Sequence, residues 1–328
     1  MSYLVTGVAG FVGSSLALRL LGEGLPVVGI DNLDPYYDPA IKRANLQTVG
    51  DRARELGGSF TFVEADIRDA AAVESLFSTH KPKRVAHLAA MSGVRYSSEN
   101  GALYADVNVK GGVNLLDAAR RWGVEVFAQA STSNVYGMAT TVPFREDQCA
   151  EQPLSPYPAS KRSAELFAHS YHQLYNLQTT VLRFFNVYGP RGRVDMMPFK
   201  VLDSIVKRTP ITVYDLDMKR DWTFIEDILD GVRAALERPL GFQIINLGRG
   251  EPVALSDFIQ VCERLVGQPA ELKQVETPLT EAPITFCDNS RARKLLDFNP
   301  KTPLQEGMAL TWEWYQRAIL PSRQPPRL

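Results

Sequence analysis

Short, uninterrupted apolar runs alternate with stretches of helical periodicity through the first 185 residues. The runs are Tyr3–Thr6, Pro26–Ile30, Phe60–Val63, Arg84–Leu88, Glu125–Ala130 and Thr179–Phe185. They have strand length and are continuous rather than alternating, which predicts strands buried on both faces. Helical patterns lie between them near 12–23, 40–57, 70–79, 101–122 and 157–175. Such alternation builds right-handed βαβ units around a parallel sheet. After residue 185 the rhythm changes. Segment 186–220 carries Gly, Pro and mixed charge, with a helix at Pro198–Lys207 and a strand at Ile211–Tyr214. A helix at Phe224–Glu237 and a strand at Phe242–Asn246 are expected to return to the main sheet. Helices at Leu255–Val266 and Leu304–Leu320 belong to a second, smaller lobe. The expected division is therefore 1–185, with 221–247 rejoining it, against 186–220 and 248–322, with a Pro- and Arg-rich tail at 323–328. A cleft between two lobes is a common place for a ligand.

Composition narrows the function classes. The 328 residues are 45% apolar and 22% charged, ordinary globular usage. Thirty-six basic side chains against 37 acidic ones leave a net charge of −1, so no basic excess marks a nucleic-acid partner. No run approaches the roughly 20 apolar residues of a membrane span. The apolar start, Met1–Gly13, lacks a basic leader and is not read as an export signal. Cys149, Cys262 and Cys287 are too few and scattered for a disulfide framework or zinc site, and suit a reducing cytoplasm. His80, His169 and His172 have no ligand partners at metal spacing, so no metal is expected.

The apolar start instead carries Gly7-Val-Ala-Gly10-Phe11-Val12-Gly13, directly after the first strand and opening the first helix. In that context Gly7 turns the strand, Gly10 lets backbone approach a pyrophosphate, and Gly13 packs the helix on the sheet. The helix N-terminus adds unpaired N–H groups for an anion. Asp31 ends the second strand 18 positions after Gly13, placed to accept from both adenosine ribose hydroxyls. It would repel a 2′-phosphate, so NAD is favoured over NADP. Asp66, after the third strand, is placed for the adenine amino group; alone it would read as a helix N-cap.

Tyr157-Pro-Ala-Ser-Lys161 puts a phenol and an ammonium on one helical face. A tyrosine near pKa 10 is a poor base at neutral pH, and an adjacent ammonium lowers that value. Lys161 is also placed to hold a nicotinamide ribose. Ser131-Thr132-Ser133 ends the fifth strand, the side where open α/β sheets bind ligands. No G-x-S-x-G elbow competes with this reading. His87 reads as structural, and Trp312, Trp314 and Tyr315 as packing.

Together these motifs resemble the extended short-chain dehydrogenase/reductases, the NAD-dependent epimerase/dehydratase family. The resemblance adds His87-Leu88-Ala89-Ala90, Asn108, Leu182–Pro190 and Lys219–Phe224, and covers nearly the whole chain. It implies a Rossmann-type, doubly wound α/β sheet with a smaller α/β substrate lobe. Within the family the chain most resembles UDP-glucuronate 4-epimerases, through Asp31–Pro39, Gly93–Ser97, Gly192–Met196 and Met218–Asp221. That likeness implies tightly held NAD, a UDP-sugar in the second lobe and often a homodimer, with no membrane or nucleic-acid partner. It carries over Thr132, Tyr157 and Lys161 as the catalytic set. To the cofactor set it adds Asn32, Arg43, Ile67, Leu88, Ala89, Ala90, Asn108 and Ala130. For the substrate it implies Arg95, Thr132, Ser133, Asn134, Phe185, Asn186, Arg193, Asp195, Met196, Val213, Tyr214 and Arg220. Arg220 belongs at the diphosphate, Tyr214 near uridine, and Arg193 near sugar and phosphates.

Two departures bear on the substrate. Those epimerases usually place small hydroxyl residues against the sugar carboxylate, where this chain has Asn134 and Asn186. Thr132-Ser133-Asn134 also lacks the Asp-Glu pair of sugar 4,6-dehydratases, so β-elimination loses its acid and base. The expected reaction interconverts UDP-glucuronate and UDP-galacturonate through a 4-keto sugar with transient NAD reduction. A UDP-glucuronate decarboxylase, a neutral UDP-hexose 4-epimerase and a catalytically silent NAD-sensing scaffold remain alternatives, because one fold hosts several outcomes.

Overall fold

The computed structural model describes residues 2–138, 141–148, 150–278 and 281–320. Cys149 and the tail read at 323–328 lie outside the described residues. The first half runs β1 (Tyr3–Thr6), α1 (Phe11–Gly22), β2 (Val27–Asp31), α2 (Pro39–Leu56), β3 (Phe60–Glu64), α3 (Ala70–His80) and β4 (Arg84–His87). It continues through α4 (Val94–Glu99), α5 (Gly101–Tyr104), α6 (Gly112–Arg121), β5 (Val126–Thr132), α7 (Pro156–Tyr175) and β6 (Thr179–Phe184). The second half holds β7 (Asn186–Tyr188), α8 (Met197–Lys207), β8 (Ile211–Val213), β9 (Lys219–Phe224), α9 (Ile225–Glu237) and β10 (Phe242–Leu247). Then come β11 (Pro252–Ala254), α10 (Leu255–Val266), β12 (Leu272–Gln274), β13 (Ile284–Thr285), α11 (Ser290–Leu296) and α12 (Leu304–Ala318).

Seven parallel strands form the main sheet in the order β10-β6-β5-β4-β1-β2-β3. Leu16 and Leu20 of α1 with Ile228 and Val232 of α9 cover one face. Val73 and Phe77 of α3 with Leu115 and Ala119 of α6 cover the other. This is the doubly wound, Rossmann-type α/β fold. Strand order reverses between β1 and β4, where such sheets open a crevice at their carboxyl ends. β1, β2 and β5 are buried throughout, as continuous apolar runs require, but β3 is not. It is the sheet edge, with a single strand neighbour, and Thr61 and Glu64 face solvent.

Past β6 the chain builds smaller sheets. β9 pairs with β7, β11 and β13, and β8 pairs with β12. α9 and β10 return to the large sheet, β10 pairing with β6 from Phe242↔Thr179 to Leu247↔Phe184. The helical pattern at 101–122 is interrupted: residues 105–111 form a π-helical turn between α5 and α6. Such bulges concentrate at functional sites. Here the bulge carries Asn108, buried, whose amide pairs with both backbone polar groups of Met91 (2.8 and 2.9 Å) and with Ser160 Oγ (2.9 Å).

Candidate active site

A cleft of about 270 Å³ opens where β1 and β4 diverge. Its floor is the glycine turn. Gly7 has φ +70°, and a Cβ there would lie 2.8 Å from the Ala89 nitrogen, in the loop after β4. A Cβ on Gly13 would lie 2.1 Å from the Gly7 carbonyl oxygen. Neither position has room for a side chain, so backbone lies bare at the start of α1. Asp31, at the end of β2, accepts from the backbone N–H groups of Ala9 (3.1 Å) and Leu33 (2.9 Å). Burial raises its pKa, against the pull of Lys42 and those two donors. Lys42 holds its ammonium 4.0 Å from the Asp31 carboxylate and over the Tyr37 ring.

Asp66 lies two residues beyond β3 and accepts from Arg68 and from Asn32 Nδ2 (2.8 Å). The Arg68 hydrogen bond, chiefly, holds its pKa down to about 2. The N-cap of α3 is Asp69, which accepts from Ala71 and Ala72. Gly10, Phe11, Val12, Asn32, Ile67, Leu88, Ala89, Ala90 and Ala130 also line the cleft. Asn108 stands behind it, in the π turn. Arg43 is exposed and outside the lining. The buried stripe of α2 is Lys42, Asn45, Val49 and Ala53, which puts Arg43 one step round the helix, toward solvent. Sequence reading missed Lys42; running the Val49–Ala53 periodicity back by one and two turns would have found it.

Helix α7 presents Tyr157 and Lys161. Pro156 at its first position and left-handed Asn176 at its end define it. Tyr157 and Lys161 both face the cleft. Lys161 is buried, and desolvation pushes its pKa down to about 8, opposed by Glu165. Burial raises the Tyr157 pKa, opposed by the Thr132 hydroxyl and the Arg193 guanidinium. This adds to the expectation above: the groups that pull the phenol down are Thr132 and Arg193, while burial makes Lys161 a weaker base that is still mostly an ammonium at neutral pH. One turn beyond Lys161, fully buried Glu165 accepts from Ser131 Oγ (2.5 Å), Arg183 (2.7 and 3.0 Å) and Arg162 (3.0 Å). That cluster ties α7 to the ends of β5 and β6. Glu165 was not singled out in the sequence, because its partners on β5 and β6 lie 34 and 18 positions away.

Phe185, Arg193 and Met196 complete the cleft wall. Arg193 forks onto Asp195 (2.6 and 3.0 Å), donates to Ser92 Oγ and lies over the Tyr36 ring. Thr132, Ser133 and Asn134 sit at the end of β5 and in the turn after it. One N–H of the Asn134 amide is committed to Thr132, donating to Oγ1 at 3.0 Å. Asn186 opens β7, paired with Trp222. Thr132, Ser133, Asn134, Asn186 and Asp195 are not among the lining residues, and neither are Arg95, Val213, Tyr214 and Arg220. Arg95 stacks over Tyr214 and donates to its phenol. Val213 is buried core in β8. Arg220 is ion-paired with Glu281 at 3.1 Å.

The sequence from residue 4 to 311 matches the family described as GDP-mannose 4,6 dehydratase. The chain belongs to that family. Relatives within and around the GDP-mannose 4,6 dehydratase family include a UDP-glucuronate 4-epimerase of Thermodesulfobacterium geofontis, 40% identical over 319 residues and 97% of each chain. A solved UDP-glucuronic acid 4-epimerase from Bacillus cereus, in complex with UDP-glucuronic acid and NAD, superposes with TM-score 0.89. It is 32% identical and covers 97% of this chain and 99% of its own. A UDP-glucose 4-epimerase from Thermotoga maritima gives TM-score 0.87 at 28% identity, covering 97% and 100%. The family description names a dehydratase, yet Thr132-Ser133-Asn134 offers no carboxyl group for elimination.

Proposed function

We propose that this chain is an NAD-dependent UDP-sugar 4-epimerase acting on UDP-glucuronate. The observation that carries the reading is one cleft shared by the bare glycine turn, Asp31, Tyr157 and Lys161. The residues fit NAD: backbone with no room for a Cβ suits a pyrophosphate, and the Asp31 carboxylate keeps lone pairs for ribose hydroxyls while repelling a 2′-phosphate. NAD, when bound, supplies reversible hydride acceptance. Tyr157 takes the proton of the sugar 4-hydroxyl at its phenol oxygen and later gives it back. Thr132 shares that reacting oxygen. Lys161 holds the nicotinamide ribose, and Arg193 draws the phenol toward its ionised form. Arg193, Arg95 and Arg220 are the cations for diphosphate and carboxylate. The likeness to UDP-glucuronate 4-epimerases supports this sugar.

Asn186, with one N–H of the Asn134 amide turned to Thr132, favours a second reading, a neutral UDP-hexose 4-epimerase. Proton NMR of products from UDP-glucuronate and UDP-glucose, supplied separately, decides. UDP-galacturonate with its carboxylate retained is expected. UDP-xylose or a 4-keto-pentose as main product would establish decarboxylation, and turnover of UDP-glucose alone would establish the second reading.

The same reading keeps the expected division, 1–185 with 221–247 as the cofactor lobe and 186–220 with 248–322 as the sugar lobe, with one shift. Residues 221–224 pair within the small sheet, so the return to the cofactor lobe begins at α9, and the pairing of β10 with β6 supports that return. It includes a homodimer, for which Leu166, Phe167, Leu174 and Tyr175 on α7 offer exposed apolar surface. A mass from light scattering equal to two chains is expected. Among the described residues no helix is long and apolar enough to cross a membrane. Buried, free Cys262 and Cys287 support a cytoplasmic setting.

A further inference from the structure

A threonine hydroxyl has one proton to donate and two lone pairs with which to accept. Both lone pairs of Thr132 are occupied from one residue. The Asn134 backbone N–H donates to Oγ1 at 3.2 Å, and Asn134 Nδ2 donates to it at 3.0 Å. The first contact follows from chain geometry: Thr132 is extended and caps the short turn 133–136, so its oxygen faces the N–H two residues on. The second is peculiar to an amide at position 134.

We propose that Asn134 is a positioning residue: by donating twice to Thr132 Oγ1, it leaves the threonine hydroxyl able only to donate its one proton, to the Tyr157 oxygen in the free site or to the reacting sugar oxygen when substrate is present. This deepens the epimerase reading above and rests on it.

The surroundings of the phenol make that direction matter. Lys161 follows one turn on along the same helix, and Arg193 acts on the phenol from the loop after β7, with Asp195 and Tyr36 beyond it. Tyr104 meets Tyr157 edge-on from α5 at 6.0 Å, but its hydroxyl is spent on the carbonyls of Ser92 (2.8 Å) and Gly93 (2.9 Å). Tyr104 therefore donates nothing to Tyr157. Thr132 supplies the neutral hydrogen bond that favours phenolate over phenol, and Asn134 fixes its sense. A hydroxyl at 134, expected from the epimerase likeness, could donate to Thr132 or accept from it. The amide nitrogen only donates. Asn134 then acts on the chemistry through Thr132, rather than by reading the sugar carboxylate.

The test uses the NAD-loaded protein and four variants: Asn134→Ala, Asn134→Asp, Thr132→Ala and the double variant Thr132→Ala with Asn134→Ala. An aspartate has the amide's shape but only accepts, so it takes the threonine proton away from Tyr157. Its acid limb of kcat/KM is expected to move up by about one pH unit, a loss of roughly tenfold near neutral pH. Asn134→Ala is expected to cost about threefold in kcat with KM within about twofold, and to cost nothing further in the Thr132→Ala background. A wild-type pH profile in Asn134→Asp would show that the amide accepts from Thr132, and would overturn the proposal. So would an Asn134→Ala loss that multiplies that of Thr132→Ala, or a KM raised for UDP-glucuronate but not for UDP-glucose. Tyrosinate absorbance titration without substrate, corrected with Tyr157→Phe, separates this from the choice of sugar. Asn134→Asp should raise the Tyr157 midpoint more with Thr132 present than with Thr132→Ala. An equal rise in both would leave only the added charge and sink the idea, whatever sugar the enzyme turns over.

Discussion

The two sides of the cleft are built from different materials. On the sheet side, backbone does the holding. Gly7 and Gly13 have no room for a Cβ, and Asp31 is pinned by two main-chain N–H groups. His87, buried at the end of β4, shares a hydrogen bond with Thr6 Oγ1 at 2.9 Å, and that hydroxyl in turn accepts from Leu88 and Ala89. On the side of the smaller sheets, long side chains hold one another. Arg193, in the cleft wall, grips Asp195, and beyond the lining Arg220 grips Glu281 and Arg95 covers Tyr214. A backbone cradle is rigid and ready for its ligand. An arginine paired with a carboxylate must exchange that partner for an anionic ligand, so the second side adapts to what it binds. On the proposed function, the difference gives fixed cofactor geometry to one side and adjustable substrate recognition to the other.

The largest expected effect tests the groups mounted on the rigid side. Tyr157→Phe removes the proton acceptor and keeps the ring, so turnover should fall roughly 10²–10⁴-fold. Cofactor retention, read by mass spectrometry of the denatured protein, should stay at the wild-type level and be mainly NAD; mainly NADP would refute the role of Asp31. Next, Gly13→Ala pushes a methyl against the Gly7 carbonyl. Overpacking of that kind costs about 1–3 kcal/mol, so cofactor affinity by calorimetry should fall roughly 5- to 150-fold. Unchanged affinity would mean that the turn is not the rigid element described.

Acid should probe the same side. Burial, with the Lys161 charge, pushes the His87 pKa down to about 3, so the folded chain keeps it neutral where the unfolded chain protonates it. Its contribution is fully present above about pH 6.5 and is lost as pH falls toward 3, by at most about 1.4 kcal/mol per unit. Urea midpoints at pH 7, 6 and 5 should therefore drop more steeply in the wild type than in His87→Gln. The smallest effect belongs to the adaptable side. Glu281→Gln frees Arg220 from a partly exposed pair, and such pairs contribute about 1 kcal/mol or less. KM for the UDP-sugar should change by no more than about fivefold, downward, with kcat untouched. A large fall in kcat would erase the contrast between the two sides.

Most of the rigid side was legible in the chain, because its signals are local. A glycine turn, a strand-ending acid and a tyrosine four residues from a lysine are recognised over spans that backbone geometry itself dictates. The adaptable side was legible only through resemblance, and its residues pair with partners far along the chain: Arg220 with a carboxylate 61 positions on, Arg95 with a phenol 119 positions on. Even on the rigid side, that Lys42 and not Arg43 lines the cleft turned on about 100° of rotation around one helix.

What the sequence determined by itself was therefore the order of strands and helices, the bare turn, and the presence of phenol, ammonium and hydroxyl at the carboxyl ends of the strands. Period and spacing act within a few residues and survive in any fold that keeps the elements. The tertiary structure alone decided where the π turn would set Asn108, that Glu165 would bind the end of β5 to α7, and that the Asn134 amide would settle on Thr132. Hydrogen-bond sense, burial and the resulting pKa shifts depend on which groups meet after the chain has packed, and local pattern carries no record of those meetings.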